Sequence, residues 1–595
     1  MRVTKLTAAA GVSALVIGAL LLGIELQRPA IGAPAHPMRN TAARALINDP
    51  RFAGLLSESA QRAFLPLKDS SNDLYPSPLQ RAGSASPRRG GAPSTWATVN
   101  PPLAFNNDQS GFPQNEESVS SCNAGNKVIG AWNDFRNNTP GADFTGWGIS
   151  TTGGTSLTNS NFLPGVTVNA GPASGPATAP GSGKTAGGGG GPPPTPASGP
   201  ASGGSKEYLP SQGDPVIRAT TGCTVYASSL AFQTDFTQPP ASAVLVDRSD
   251  AATLASCTTE KACWPMRKPV VVSTDPSVFF DKDWMAVSPT IPNSPVSIGF
   301  TEFNYGGGFG PVISLNVVRC TADLHHCSAP IAVETDFSSP FPGPGGGASV
   351  TPTWSGIAIG SDGSTYVSWA AIQQSFGSPA TVRIEEASAP PNSAAFSRPV
   401  TVTQISLPVF NPFAAENFRI NGLPVIAVSH VGGVDRIHIV YAECRAVALG
   451  ICEHSDVVLA TSRNGQAGTW SYRLMDAAGG SDFFPTVTAD QVTGKLLVGF
   501  WSTRFDPGQN AYDVVAVPVN GATGAPSPAI RISATSIEPD SDPLLGPNFI
   551  GDYWELHAVN GKAWAHYTST QRLQQLLGEG VPVPQQDNVL SVFTF

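Results

Sequence analysis

The sequence predicts an all-β fold, a seven-bladed β-propeller closed into a ring by its N- and C-terminal strands, and three observations predict it. The first is a unit that recurs seven times. It reads NEESVSSCNAGNKVIGAWND at 115–134, GDPVIRATTGCTVYASSLAF from Gly213 and DKDWMAVSPTIPNSPVSIGFTEF from Asp281. It returns as SVTPTWSGIAIGSDGSTYVSWAA from Ser349, LPVIAVSHVGGVDRIHIVYAEC from Leu423, FFPTVTADQVTGKLLVGFWSTR from Phe483 and GDYWELHAVNGKAWAHYTST from Gly551. Each copy has a polar or acidic lead-in, a short apolar strand, a Gly/Asn/Asp turn and a second strand ending on an aromatic or small residue. The second observation is spacing. Anchored on Trp132, Ser229, Phe300, Trp369, Tyr441, Trp501 and Tyr567, the second strands lie 97, 71, 69, 72, 60 and 66 residues apart. A fixed period of this kind marks sheets that bury their faces only against neighbouring sheets, and it leaves room for four strands and a long loop per blade. A sandwich need not repeat one lead-in and one ending seven times. Six blades is the alternative if the first or last copy is only a closing half.

Composition is the third observation. Only 13% of residues are charged, while 62 glycines and 55 prolines make up about a fifth of the 595 residues. That balance suits a turn-rich β protein, and a propeller grows by adding blades without splitting into domains. The net charge of −9 argues against a nucleic-acid surface, which needs clustered Lys and Arg.

In chain order, MRVTK and the apolar run Leu6 to Ile24 precede a small-x-small site at Ala33, Pro34 and Ala35. This reads as a signal peptide over 1–35. The run is also long enough for an uncleaved anchor, the one case that brings in a membrane; either way the remainder is exported to the periplasm, the cell surface or the medium. Residues 36–94 read as a mobile polar segment before the propeller at 95–595. A Gly/Pro-rich insert, 170–205, lengthens the first spacing and cannot bury enough apolar surface to order. Its GSGKT at 181–185 lacks the earlier glycine of a phosphate-binding loop, Thr178 standing there, and has no strand before it or helix after it. The final DNVLSVFTF is one strand beyond the seventh unit, so the two termini are expected to share a blade and leave no open edge.

Eight cysteines in an exported chain imply disulfides. Cys257 with Cys263, Cys320 with Cys327 and Cys444 with Cys452 are close in sequence and would clip turns or loops, and Cys122 with Cys223, at similar positions in the first two units, would tie those two blades. No pair has the two-residue spacing of a zinc site.

Loops entering the innermost strands of a propeller open onto one face. Here they supply Glu116, Glu117, Asp214, Asp281, Asp283, Asp482 and Asp552, an acidic mouth that a hard cation such as Ca²⁺ would neutralise. The segments after the second strands supply Arg136, Arg504 and Arg572 at matching positions of the first, sixth and seventh units, neighbours in a closed ring. Three guanidinium groups together would grip an anionic ligand bidentately. The bland reading is that the acids cap turns and the arginines pair with them.

With its AWND at 131–134, GDPV at 213–216, DKDW at 281–284 and FIGDYW at 549–554, residues 95–595 resemble the bacterial secreted sialidase-like (BNR, Asp-box repeat) propeller superfamily. The resemblance implies a glycan ligand and, in its enzymes, exo-sialidase-type hydrolysis of an acidic sugar. Asp552, Glu116, Asp214 and Asp283 are then the acid/base candidates, Tyr553 the nucleophile, and Arg136, Arg504 and Arg572 the substrate clamp. The chain departs from the family pattern. The Asp box survives as SRNGQAGTW at 462–470, with Asn464 at the Asp position, and as STTGGTSL at 150–157. Phe418, Arg419 and Ile420 imitate the Arg-Ile-Pro signature, with Asn421 replacing proline. The other reading is a non-catalytic propeller that binds a glycan or protein partner at the same mouth; under either reading the chain is expected to be a monomer.

Overall fold

The computed structural model describes residues 102–595, apart from 109–111, 138–140, 171–204, 234–240, 307–311, 338–348, 375–380, 406–419, 421–423, 449–450, 477–478, 507–510, 545–548, 575–581 and a few single positions. The signal segment, the polar segment up to 94, the GSGKT stretch and the Phe418–Arg419 pair fall outside the described residues.

Seven four-stranded antiparallel sheets form the ring. Their innermost strands are Gln114–Cys122, Val216–Ala219, Val278–Ala286, Ser349–Ile359, Val425–Val431, Asp482–Ala489 and Glu555–Val559. Each lies against the innermost strand of the next blade, and the seventh returns to the first. Each of the seven recurring units thus supplies the first two strands of one blade. Between blades 1 and 2, Val166–Ala170 pairs with Ser205–Leu209 as a separate hairpin flanking the Gly/Pro tract.

Ring closure joins the two ends of the chain. Blade 7 takes Glu555–Val559, Lys562–Gln574 and Val583–Thr594 from the C-terminal region and Leu103–Ala104 from the N-terminal one. Leu103 pairs with Leu590 and Ala104 with Val589, and the Phe105 amide donates to the Asn588 carbonyl at 3.2 Å. So short a strand is anchored by packing. The fully buried Phe105 ring meets His566 edge-on at 5.4 Å, in a cluster with Val119, Val128, Trp132, Trp564 and Leu590 drawn from both blades.

One position at the entry to the innermost strand recurs with an unusual backbone. Glu116, Asp214, Lys282 and Phe484 all have positive φ (59°, 52°, 55° and 46°) although none is glycine. In blades 1, 3 and 6 this residue sits in a β-bulge, where pairing jumps from Asn115 to Ser118, Asp281 to Trp284 and Phe483 to Thr486. A bulge kinks the strand and re-aims the side chains around it, and a left-handed non-glycine residue costs of order 1–3 kcal/mol.

The bulges also correct one alignment. Ser118, Trp284 and Gly356 pair with Ala131, Gly299 and Ser368, each one residue before its blade's anchor, whereas Thr486 pairs with Gly499, two residues before Trp501. The sixth anchor is therefore Phe500, not Trp501, and the last two spacings become 59 and 67. Both rings are buried, so only the pairing register separates them. Gly499 itself lies beneath Trp554 of blade 7; a Cβ there would come within 2.5 Å of the indole.

All eight cysteines are in disulfides. Cys122–Cys223 ties blade 1 to blade 2, and Cys257–Cys263, Cys320–Cys327 and Cys444–Cys452 close loops within blades.

If Phe105 anchors the closing strand, Phe105→Ala should leave a cavity between blades 1 and 7 and lower stability by about 3–5 kcal/mol in urea unfolding. A loss below about 1 kcal/mol would show that the closing strand adds little beyond its backbone bonds.

Candidate functional site

The bulges bring the acidic lead-ins together at one end of the ring axis, where residues from blades 1, 2, 3 and 7 form a buried hub. Lys282 of blade 3 makes an ion pair with Asp552 of blade 7. Arg218 of blade 2 binds both oxygens of Glu555 of blade 7, at 2.8 and 2.7 Å, and Glu555 also accepts from the Ser118 hydroxyl and the Val119 amide of blade 1. Glu116 accepts from Asn133 at 2.7 Å and from the Asp552 amide at 3.2 Å. Asn133 in turn accepts from the Asp214 amide. Glu117 is held by the Thr568 hydroxyl of blade 7 at 2.8 Å, and Asp283 by the Ser228 hydroxyl of blade 2 at 2.5 Å. A narrow channel of about 140 Å³ begins at the Arg218–Glu555 pair of the hub and runs between the innermost strands past Val119, Ile357, Val428, Val487 and Leu556.

Acids gathered out of water cannot all ionise. Burial raises the pKa of Glu117 well above the ordinary carboxyl range, with the Asp587 charge adding to it. Asp283 is likewise raised well above that range, first by burial and then by the charges of Asp214 and Asp281. Its Oδ1 has no hydrogen-bond partner among the described residues. The hub therefore contains two ion-paired carboxylates, Asp552 and Glu555, and two carboxyls, Glu117 and Asp283, whose ionisation burial opposes.

Two expectations need correction. Tyr553 is not poised as a nucleophile: its buried hydroxyl donates to the Pro215 carbonyl at 3.1 Å, its ring meets Trp284 edge-on at 5.3 Å, and burial with four acidic neighbours drives its pKa well above the usual phenol value. Nor do the three arginines form one anion site. Arg504 is fully engaged by Asp476 and Asp482. Arg136 grips Asp134 two residues before it, and Arg572 binds Asp587. Arg136 and Arg572 do approach one another around Asp108, whose carboxylate lies 3.9 Å from Arg136 and whose carbonyl accepts from Arg572 at 2.7 Å, but carboxylates already neutralise both. Lys282 and Arg218 supply part of the neutralisation expected from Ca²⁺, and among the described residues no group of three or more His, Cys, Asp or Glu side chains is placed to hold a metal.

The altered Asp boxes are turns between third and fourth strands, remote from the hub in their blades. Ser462 accepts from the amides of Asn464 and Gly465 and bonds Thr469 at 2.7 Å, and Asn464 accepts from Thr469 at 3.0 Å. Ser150, Thr152 and Ser156 repeat the pattern in blade 1. Sequence reading missed Lys282, Arg218, Glu555 and Ser228. Lys282 was visible inside DKDW, and Glu555 directly follows FIGDYW. Nothing in the sequence pairs either with a blade two or three places away.

No family model matches the chain, and no curated protein matches it. Solved structures similar to it include an α-L-arabinofuranosidase from Fusarium graminearum, 12% identical, covering 71% of this chain and 97% of that one with a TM-score of 0.38. An α-L-arabinanase from Penicillium chrysogenum is 9% identical, covering 84% and 99%, TM-score 0.37. An ulvan lyase is 6% identical, covering 83% and 95%, TM-score 0.42. Likeness at this level says nothing about activity.

Two outcomes follow from the hub. Lys282→Met leaves Asp552 buried without its cation and should cost about 3–5 kcal/mol, much of it restored in the Lys282→Met/Asp552→Asn double variant; equal losses in single and double variants would show that the pair is not coupled. The second concerns pH. The raised folded-state pKa values of Glu117 and Asp283 stabilise the native state fully below the unfolded value near 4, and this stabilisation is lost as pH rises through the raised values. Buried His566, held down to about 4, acts oppositely, costing stability as pH falls below about 6.5. Above about pH 6.5 the carboxyl slope dominates, with Glu386, pushed up to about 8, adding to it, so Tm should fall as pH rises further, and Glu117→Gln should flatten the fall. An unchanged slope in that variant would place Glu117 among the ionised acids.

Proposed function

We propose that the chain is an exported glycan-acting propeller, a glycoside hydrolase for a neutral sugar whose chemistry is centred on the hub carboxyls. The observation that supports this most is Asp283, a buried carboxyl whose pKa is raised by burial and by its neighbours Asp214 and Asp281 and whose Oδ1 has no hydrogen-bond partner among the described residues. Glycoside cleavage needs such an acid to protonate the leaving oxygen, and a second carboxylate to act as nucleophile or to activate water. Asp283 takes the first role, and Asp214 or Glu116 the second. A neutral sugar fits better than an acidic one, because the three expected clamp arginines are each neutralised by carboxylates while the lead-ins add further negative charge. Export accords with four disulfides, which persist in oxidising compartments. In the same reading, 1–35 is the leader, 36–94 a tether and 95–595 the functional domain.

A second reading, a non-catalytic propeller that binds a glycan or protein partner, is favoured by one observation: Tyr553, Lys282 and Arg218 fill the hub and are all committed to other blades. Assaying sugar release from neutral polysaccharides and aryl glycosides separates the two. Turnover that falls about 10²- to 10⁴-fold in Asp283→Asn, at retained Tm, supports the hydrolase. Oligosaccharide binding by calorimetry without turnover in the parent establishes the binding module instead.

A further inference from the structure

At the opposite end of the ring from the hub, a groove runs along the seam between blades 3 and 4. Its main chamber, about 820 Å³, lies between the turn around Asn293, the loop Cys320–Ser328 of blade 3 and the turn around Asp362 of blade 4. A second chamber of about 630 Å³ extends outward along Ser328–Ala332 and Asn392–Ala395. Arg319, Ser328 and Asn392 line both, so the two form one elongated groove with Arg319 at its waist.

The blade 3 wall is pre-organised. Cys320–Cys327 clips the loop, and the Thr321 amide donates to the His326 carbonyl at 2.8 Å. From blade 2, Tyr226 donates to the Ala322 carbonyl at 2.6 Å, and Lys268 to the carbonyls of Leu324 and His325 at 3.0 and 2.9 Å. Ligand pockets are commonly pre-formed in this way, which lowers the ordering cost of binding.

Arg319 is half-buried and, unlike Arg136, Arg504 and Arg572, has no carboxylate within ion-pair distance among the described residues. Its Nη1 donates to the carbonyls of Ser393 and Pro390 at 2.9 and 3.4 Å, and its guanidinium lies 5.3 Å from the centre of the Phe396 ring. These contacts fix the group in place without cancelling its charge. The two acids of the main chamber are occupied in their own turns: Asp323 accepts from the Thr321 hydroxyl and the His325 amide, and Asp362 from the Ser364 amide and hydroxyl. The outer chamber contains no acid. A half-buried cation facing an acid-free outer chamber, with the two acids of the main chamber engaged in their own turns, calls for an anion from outside the chain. The remaining lining, with Asn293, Asn392, Ser328, Thr321, Ser361 and His326, supplies amides, hydroxyls and an imidazole, which suit a hydroxyl-rich chain.

We infer that this seam is a second binding site, for a linear glycan carrying carboxylate or sulfate groups, with Arg319 holding one of those groups. It stands apart from the hub, and Asp283→Asn should leave it intact. The test is calorimetric titration of the mature protein with an oligogalacturonate, a sulfated oligosaccharide and a neutral glucan oligomer of equal length, with poly-glutamate as the peptide control. Both anionic sugars should bind, or one of them, which would then identify the group. Arg319→Met should weaken binding at least tenfold, and so should Ala394→Glu, which adds a negative charge on the exposed lip and leaves Arg319 in place. Binding that is equal for the neutral oligomer, unchanged in both variants, absent from the parent, or stronger for poly-glutamate than for either sugar would overturn the assignment.

Discussion

The buried ion pairs that cross the hub are the interactions on which the rest of this propeller depends. In a ring of blades each sheet touches its two neighbours, and nothing in the strand pairing relates blade 3 to blade 7 or blade 2 to blade 7. Lys282–Asp552 and Arg218–Glu555 make those relations directly, and Tyr553 adds a third by reaching from blade 7 to Pro215 of blade 2. A buried pair gains little over a well-packed apolar contact, because desolvation offsets most of its attraction. Its value lies in geometry: a charge removed from water tolerates one partner in one place. The hub thus fixes how four of the seven blades are arranged about the axis, while the apolar seams supply the bulk of the stability.

The backbone strain is explained by the same demand. Without the bulges, residues of the innermost strands would alternate strictly between the two faces of each blade. Inserting one left-handed residue at Glu116, Lys282 and Phe484 breaks that alternation just where the strand reaches the axis. In blade 3 the outcome is specific: Lys282 reaches across to blade 7, while Asp283 turns to Ser228 of blade 2. Blade 6 makes a different use of the device, offering the Phe484 carbonyl to the Trp554 indole at 2.8 Å, with Gly499 leaving room for the ring.

What was legible in the sequence is what repeats or is local. Blade number followed from seven second strands, closure from an unmatched strand at the C-terminal end, and the three short cysteine pairs from spacing. Where two aromatic residues stood side by side, as at Phe500 and Trp501, pattern could not choose and register had to. The site was legible as a set of acids but not as a circuit. That Arg136 grips Asp134 could have been read from WNDFR, two residues apart. That Arg504 is shared by Asp476 and Asp482 could not, because those partners lie in a different connection of the blade. Matching repeat positions put arginines at equivalent heights in their blades; they do not make them face one ligand, since each side chain first satisfies the nearest carboxylate.

Charge accounting at the hub bears most directly on chemistry. Glu116, Asp214, Asp283 and Glu555 all bear on Tyr553, and Asp281 and Asp552 lie among the same lead-ins, whereas the cations identified there are Lys282 and Arg218. Two cations cannot balance so many ionised carboxylates in a space with little water, so some of the acids must keep their protons, and those with neither cation nor exposure are the ones to do so. Asp283 is such a residue. Its raised pKa comes from burial within the ring and from the surrounding acids, not from any sialidase signature, and it persists although the Asp boxes are reduced to turns and the arginine clamp is absent. A carboxyl with a raised pKa among other carboxyls is thus a consequence of how the fold closes its own axis, and the proposed hydrolase reading rests on it.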